Sequence, residues 1–326
     1  MLTLSAWAER WPLAAAFVIS RGAKTEADVV VATISDGAYR GRGEAVPYAR
    51  YGESVSDVLG QIEAVAARID GGAGRGELQE LLPPGAARNA VDCALWDLEA
   101  KRAGARAWTL AGRARLDPVK TCFTISLGPP REMAEVARAN ARRPMLKLKI
   151  GRADDLDAVA AVRAAAPRAR LLLDANEGLS FEELRRLGPE FARLDVKLLE
   201  QPLAAGQDEL LEGYESPVPL CADESLHTRA EVAACARRYA VVNIKLDKAG
   251  GLTEALALAA DAKARGLGLM VGCMVATSLA MAPALILAQG ADFVDLDGPL
   301  LLARDREPGL AITGSLIEPP PSALWG

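Results

Sequence analysis

The chain has 326 residues, 51% of them hydrophobic and 25% charged, with a formal net charge of −5. That length exceeds one average domain and suits a parallel barrel of about 250 residues plus a smaller companion. The mild, unclustered charge and the lack of a basic stripe argue against a nucleic-acid partner, and five scattered cysteines with no CxxC fit a reducing, cytoplasmic setting rather than a disulfide scaffold.

The first 47 residues or so alternate and turn like antiparallel β, with Val29 to Ile34 and Ala38 to Val46 flanking a hairpin signal at Ser35-Asp36-Gly37. The apolar stretch from Trp11 to Ile19 follows Glu9 and Arg10 and has no basic leader or small-residue cleavage site, so it does not read as a secretory signal. Helical spacing then runs over Ser54 to Ile69, with Ser54 as N-cap, and over Pro84 to Arg102, apolar at Ala87, Val91, Leu95 and Leu98. This part reads as an α+β unit over residues 1–115.

After Pro118 the pattern changes to short apolar runs that repeat every roughly 22 to 27 residues, one strand plus one helix per unit. The runs are Thr121 to Ile125, Met145 to Lys149, Arg170 to Asp174, Lys197 to Glu200, Pro219 to Asp223, Val241 to Lys245, Leu269 to Gly272 and Phe293 to Asp297. Parallel strands with helical crossovers build a parallel sheet, and eight of them predict closure into a barrel over residues 116–304. The uncharged stretch Gly266 to Ala291 is long enough to span a bilayer, but Gly272, Thr277, Ser278 and Pro283 break it into a buried strand, loop and helix, so no membrane partner is expected. A β-like tail, Leu310 to Pro319, is expected to pack back on the first unit, within a segment 305–326 that joins it.

Five consecutive strand ends carry lysine, acid, acid, acid, lysine: Lys149, Asp174, Glu200, Asp223 and Lys245. In a closed parallel barrel these ends ring one mouth, where such enzymes place their chemistry. Three oxygen ligands with no histidine or cysteine at the same ends point to a hard divalent ion such as Mg²⁺ rather than zinc. The two lysines flank it as candidate bases. A sixth charged end, Asp295 and Asp297, forms an anionic pair suited to an ammonium group. The single histidine, His227, reads as a polar residue at a helix start, and neither Gly-x-Ser-x-Gly nor a Walker A pattern occurs.

With Lys147 and Lys149 as KxK, Asp174 and Asn176 as DxN, Leu199-Glu200-Gln201-Pro202, Ala222-Asp223-Glu224-Ser225, and Lys245 and Asp247 as KxD, the chain resembles the enolase superfamily in its muconate-lactonizing subgroup. Asp295-Leu296-Asp297-Gly298-Pro299, the segment Ser20 to Ala27 and the segment Pro47 to Glu53 are similar to the dipeptide epimerases. The resemblance implies a (β/α)7β TIM-like barrel under an α+β cap built from both chain ends. It implies one Mg²⁺, or Mn²⁺, per subunit on Asp174, Glu200 and Asp223, with Lys149 and Lys245 as acid and base. Asp295, Asp297, Arg21, Thr124 and Lys147 would bind substrate, and Asn176 and Asp247 would support the site. The implied reaction is epimerisation of a small dipeptide, L-Ala-D/L-Glu, by 1,1-proton transfer through an ene-diolate, in a homo-oligomeric enzyme. An N-acylamino-acid racemase or cycloisomerase of the same superfamily, a Schiff-base aldolase using Lys245, and a barrel kept as a binding protein are the competing readings.

Overall fold

A computed structural model describes residues 1–152 and 154–326. Its strands, in chain order, are β1 (Thr3–Ile19), β2 (Gly22–Ser35), β3 (Arg40–Ala45), β4 (Val119–Lys120), β5 (Phe123–Ile125), β6 (Met145–Lys149), β7 (Arg170–Asp174), β8 (Val196–Glu200), β9 (Leu220–Ala222), β10 (Val241–Ile244), β11 (Gly268–Gly272), β12 (Phe293–Asp295), β13 (Ile312–Thr313) and β14 (Leu316–Ile317). They form three sheets, ordered β1-β2-β3, β12-β11-β10-β9-β8-β7-β6-β5 and β13-β14-β4.

The N-terminal unit is a cap. β1, β2 and β3 make an antiparallel sheet, covered by helices α1 (Val55–Asp70), α2 (Arg75–Leu81) and α3 (Ala86–Ala103). Ser54 caps α1 by accepting from Asp57 N, as its position before the apolar period predicts. β3 lies directly on α3 because Gly41 and Gly43, which face that helix, carry no side chain. A Cβ at Gly41 or Gly43 would collide with the carbonyls of Ala94 and Ala90.

The eight-stranded sheet is parallel throughout and nearly closed. Between its first and last strands Cys122 N donates to Val294 O (2.9 Å) and Leu296 N to Thr121 Oγ1 (2.8 Å). Each strand contributes one buried apolar residue to a small interior cluster: Cys122, just before β5, then Met145, Leu172, Leu198, Cys221, Val241, Met270 and Phe293. Side chains alternate along a strand, so residues two positions on face the same interior one layer nearer the mouth. Those positions are Thr124, Lys147, Asp174, Glu200, Asp223, Asn243, Gly272 and Asp295. The barrel is therefore plugged by hydrocarbon at one level and charged at the next.

The stretch from Gly266 to Ala291 is β11 followed by a buried helix, Ser278–Ala288. Among the described residues no helix is long and apolar enough to cross a membrane. In the tail, β14 pairs with β4, just ahead of the first barrel strand, rather than with the cap sheet. Residues flanking it reach the cap: Arg306 donates to Glu9 and Glu44, Trp325 Nε1 donates to Cys93 O (3.0 Å), and Gly326 N donates to Asp97 Oδ1 (2.7 Å).

Candidate active site

Register aligns the charged ends. Lys149 pairs with Asp174 across β6 and β7, and Asp174 with Glu200 across β7 and β8, so these three residues are neighbours at adjacent strand ends. Asp223 and Lys245 follow the ends of β9 and β10. All five predicted residues are gathered and buried at the mouth. Lys149 Nζ donates to Asp174 Oδ2 (2.6 Å), and Lys245 Nζ to Asp223 Oδ2 (2.6 Å). β6 and β10 stand four places apart in the ring of eight, so the two amines come from opposite walls.

The balance of charge is anionic. Asp174, Glu200, Asp223, Glu224, Asp295 and Asp297 are buried against the amines of Lys147, Lys149, Lys245 and Lys248, and Arg21 adds one further cation from the cap. Burial opposes the charge on Asp174, but Lys147 and Lys149 more than offset it and hold that carboxyl below its usual range. The same contest puts Asp223 well below the usual range, because Lys245 and Lys248 flank it. Glu200 has less help. Burial and then Asp174 push it up to about 7. Lys147 Nζ lies 2.7 Å from Glu200 Oε2, yet without hydrogen-bond alignment, so this buried oxygen is ion-paired but has no hydrogen-bond partner. Burial disfavours the charged form of Lys245, and Asp223 beside it raises it well above the ordinary lysine value.

This inventory fits a hard cation. Three buried carboxylates from adjacent strands converge, one with an unsatisfied oxygen, in a mouth short of positive charge. Among the described residues, Cys122, Asp295 and Asp297 also offer ligand atoms within 4.8 Å of one another, a cluster consistent with a single divalent ion, Mg²⁺ or Mn²⁺, per subunit. Within that cluster burial pushes the Cys122 thiol up, and it donates to Asp295 Oδ1 (2.8 Å), so the oxygens are the better donors for a hard ion.

Several expected roles change. Lys147 is not open to a substrate. It is 1% exposed and binds Asp174, Glu200 and Asp295 at 3.1, 2.7 and 2.6 Å, one layer deeper than Lys149. Asp295 is consequently occupied by Lys147 and Cys122 rather than standing as half of a free pair. Asp297 accepts from Thr124 N (2.6 Å), and burial and Asp295 push it up to about 7. Thr124 thus meets Asp297 with its backbone N–H, and its side chain faces the same interior. Asn176 lies beside the row, its N donating to Asp174 Oδ1 (3.0 Å) and its amide to Glu224 Oε1 (3.4 Å). Asp247, expected to support the site, accepts from Val46 N (2.9 Å) and Asn89 Nδ2 (3.0 Å) and ties the cap to the barrel. Arg21 does lie over the mouth, on the turn between β1 and β2. Its Nη1 donates to Asn176 O (2.8 Å) and Glu177 Oε2 (3.2 Å), and its Nη2 to Glu224 Oε1 (2.9 Å) and Tyr48 Oη (3.2 Å).

Four further residues, given no role in the site by the sequence, take part in it. Asn243 donates to Glu200 Oε1 (2.8 Å). Lys248 donates to Asp223 Oδ1 (2.6 Å) and Asn243 O (3.1 Å). Gln201 accepts from Asp223 N (2.9 Å) and Ser225 N (3.1 Å), fixing the loop after β9. Gly272 leaves room for Asn243, whose amide atoms would lie 2.6 and 2.8 Å from a Cβ there. Asn243 did carry a signal, a polar residue in an apolar run two places before Lys245.

Family models match nearly the whole chain: the mandelate racemase / muconate lactonizing enzyme N-terminal domain over residues 1–112 and the enolase C-terminal domain-like family over residues 131–302. An L-Ala-D/L-Glu epimerase of Escherichia coli is 47% identical over 96% of this chain and 98% of its own length. An N-acetyl-D-glutamate racemase of Pseudoalteromonas is 43% identical over 91% of this chain and 95% of its own. A solved enolase family member from Agrobacterium tumefaciens, with homology to dipeptide epimerases and bound to sodium and L-Ala-L-Glu, superposes with a TM-score of 0.98 at 53% identity over all of both chains.

Proposed function

Because the chain belongs to the enolase superfamily, in its mandelate racemase and muconate lactonizing subgroup, we propose that it epimerises a dipeptide at the α-carbon of its C-terminal residue, with L-Ala-D/L-Glu as the substrate. The observation that carries this reading is the placing of Lys149 and Lys245 on opposite walls, each against its own acid of the row between them. Inverting a carbon centre through a planar species needs a base on one face and an acid on the other. One lysine takes the α-proton, and the other returns a proton to the opposite face; the reverse reaction exchanges their roles.

Asp174, Glu200 and Asp223 would hold the divalent cation. When bound, it would neutralise charge building on the substrate carboxylate as the proton leaves and draw these acids away from the two lysines. Lys147 holds the row together from below. Asn243 and Gln201 fix Glu200 and the loop that carries Asp223. Burial of every member keeps water from the reacting centre.

A second reading has support, since one relative is named as a racemase of N-acetyl-D-glutamate. Both substrates end in glutamate and differ at nitrogen. The eighth strand end favours the dipeptide: Asp295 and Asp297 leave an excess of negative charge that an ammonium answers and an acetamide does not. A cycloisomerase or a Schiff-base aldolase has no such observation behind it. Incubation with L-Ala-L-Glu and with N-acetyl-L-glutamate in D₂O with Mg²⁺, read by mass for α-deuterium, tests the choice. Faster labelling of the acetylated compound would transfer the function to N-acylamino-acid racemisation. A homo-oligomer in the cytoplasm completes the proposal, and sedimentation tests the assembly.

A further inference from the structure

Glu177 lies on the loop after β7 and meets two arginines from separate cap segments. Arg50, on the short turn Ala49–Tyr51, places its fork on both oxygens, Nη2 on Oε1 (2.7 Å) and Nε on Oε2 (2.8 Å). Arg21 Nη1 reaches the same Oε2 at 3.2 Å, and Ala205 N donates to Oε1 (2.8 Å). The Glu177 side chain is 9% exposed, against 39% for Arg50. Its backbone is bent to aim it this way. Asn176 and Glu177 have φ of 43° and 68°, a left-handed pair that non-glycine residues rarely adopt in succession.

Arg21 is crowded. Both terminal nitrogens are committed, Nη1 to Asn176 O and Glu177, Nη2 to Tyr48 and Glu224. A substrate carboxylate that uses Arg21 must displace one of these. The longest of the carboxylate contacts is the one to Glu177, and Glu177 alone has a second guanidinium already satisfying both oxygens. Arg21 is thus free to leave Glu177 without stranding a buried charge.

We propose that Arg50 is a specificity-determining positioning residue: by neutralising Glu177 it frees Arg21 to bind the acidic side chain of the substrate. This rests on the reading of a dipeptide ending in glutamate. Without Arg50, Glu177 has only Arg21 for a counter-ion and competes with the substrate for it.

The test is a cycle of Arg50→Met, Glu177→Gln and the double variant, assayed with L-Ala-L-Glu and L-Ala-L-Leu, with Arg50→Gln as a second truncation should the first fail to fold. Arg50→Met should raise KM for L-Ala-L-Glu about tenfold or more with kcat little changed, the size of one charge-assisted contact. KM for L-Ala-L-Leu should move less than about threefold. Glu177→Gln in the Arg50→Met background should restore most of the loss, because the competing charge is gone. A purely structural Arg50 would raise both KM values together, and the second substitution would not restore either. Either result overturns the proposal. A wild-type enzyme that does not prefer the acidic peptide overturns the dipeptide–glutamate reading itself, and this proposal with it.

Discussion

Lys149 and Lys245 stand four strands apart in a ring of eight, each hydrogen-bonded to a different carboxylate, Asp174 and Asp223. The arrangement gives each lysine one face of a substrate lying between them. Lys149→Ala and Lys245→Ala should therefore each abolish epimerisation and fail differently. Each keeps one base, so each should still exchange the α-proton of the single epimer that presents its hydrogen to the surviving lysine. NMR in D₂O on both epimers reads this directly. Exchange of the same epimer by both variants would be incompatible with opposite-face chemistry.

Metal dependence has a readout apart from turnover. Asp174, Glu200 and Asp223 are buried together with one oxygen lacking a hydrogen-bond partner, so a divalent ion bound to the folded form should stabilise it. At a hundredfold excess over Kd, linkage gives about 2.7 kcal/mol. Chelated enzyme should melt lower than enzyme with Mg²⁺, and be inactive until Mg²⁺ or Mn²⁺ is restored. Glu200→Gln should lose most of the thermal shift. Full activity after exhaustive chelation would count against the proposed reaction.

The charged ring of the barrel was legible because apolar runs at a regular repeat each end in a charged residue, and the ends of parallel strands ring one mouth. Strand alternation is why those ends face inward: Asp174 lies two places after Leu172 and Glu200 two after Leu198. It does not tell depth or partner. Lys147 and Lys149 obey the same alternation, yet one is sealed at the floor and the other is nearer the opening. Asp247 follows the lysine motif, but its partners Val46 and Asn89 lie far away in sequence, and only the docking of the cap brings them to it. The seat of Asn243 depends on the absence of a side chain at Gly272 on the neighbouring strand, a juxtaposition that no local pattern records.

That juxtaposition is itself testable. Gly272→Ala inserts a Cβ against the Asn243 amide and should push it off Glu200. Overpacking of this kind costs about 1–3 kcal/mol. Adding Asn243→Ala removes the obstacle, so the double variant should lose less stability than the two single changes summed. Urea denaturation of the four proteins measures the coupling, and strict additivity would mean the two positions do not touch.

Asp247 predicts a pH dependence. Burial pushes its carboxyl up to about 7 in the folded protein, only partly opposed by the hydrogen bonds from Val46 and Asn89, against about 3.9 when unfolded. A raised acid binds its proton more tightly folded than unfolded. Its contribution is therefore intact below about pH 4, falls as pH rises, and levels off above the folded value. Asp247→Asn cannot ionise. Its stability relative to the parent should grow by on the order of a few kcal/mol between about pH 4 and pH 7 and then stay constant. Denaturation midpoints at pH 5 and pH 8 for both proteins supply the comparison. A constant difference would show that the cap opens enough to hydrate this carboxylate.

Asp297 should distinguish the two glutamate-ended substrates. It accepts one backbone hydrogen bond, from Thr124, and shares its corner with Asp295, whose charge Lys147 already answers. A free ammonium on the substrate would meet its carboxylate, whereas an acetamide gives it nothing and leaves a buried acid without a cation. Asp297→Asn keeps the shape and an acceptor for Thr124 while deleting the charge. It should lower kcat/KM for L-Ala-L-Glu at least tenfold, the loss of one charge-assisted contact of about 1.5–3 kcal/mol. N-acetyl-L-glutamate, which the dipeptide reading expects the parent to use poorly, should be unaffected or improved. The ratio of the two kcat/KM values in parent and variant is the quantity to compare. A ratio that stays fixed would mean that the ammonium is bound elsewhere, and the case for a dipeptide over an N-acylated amino acid would lose its structural support.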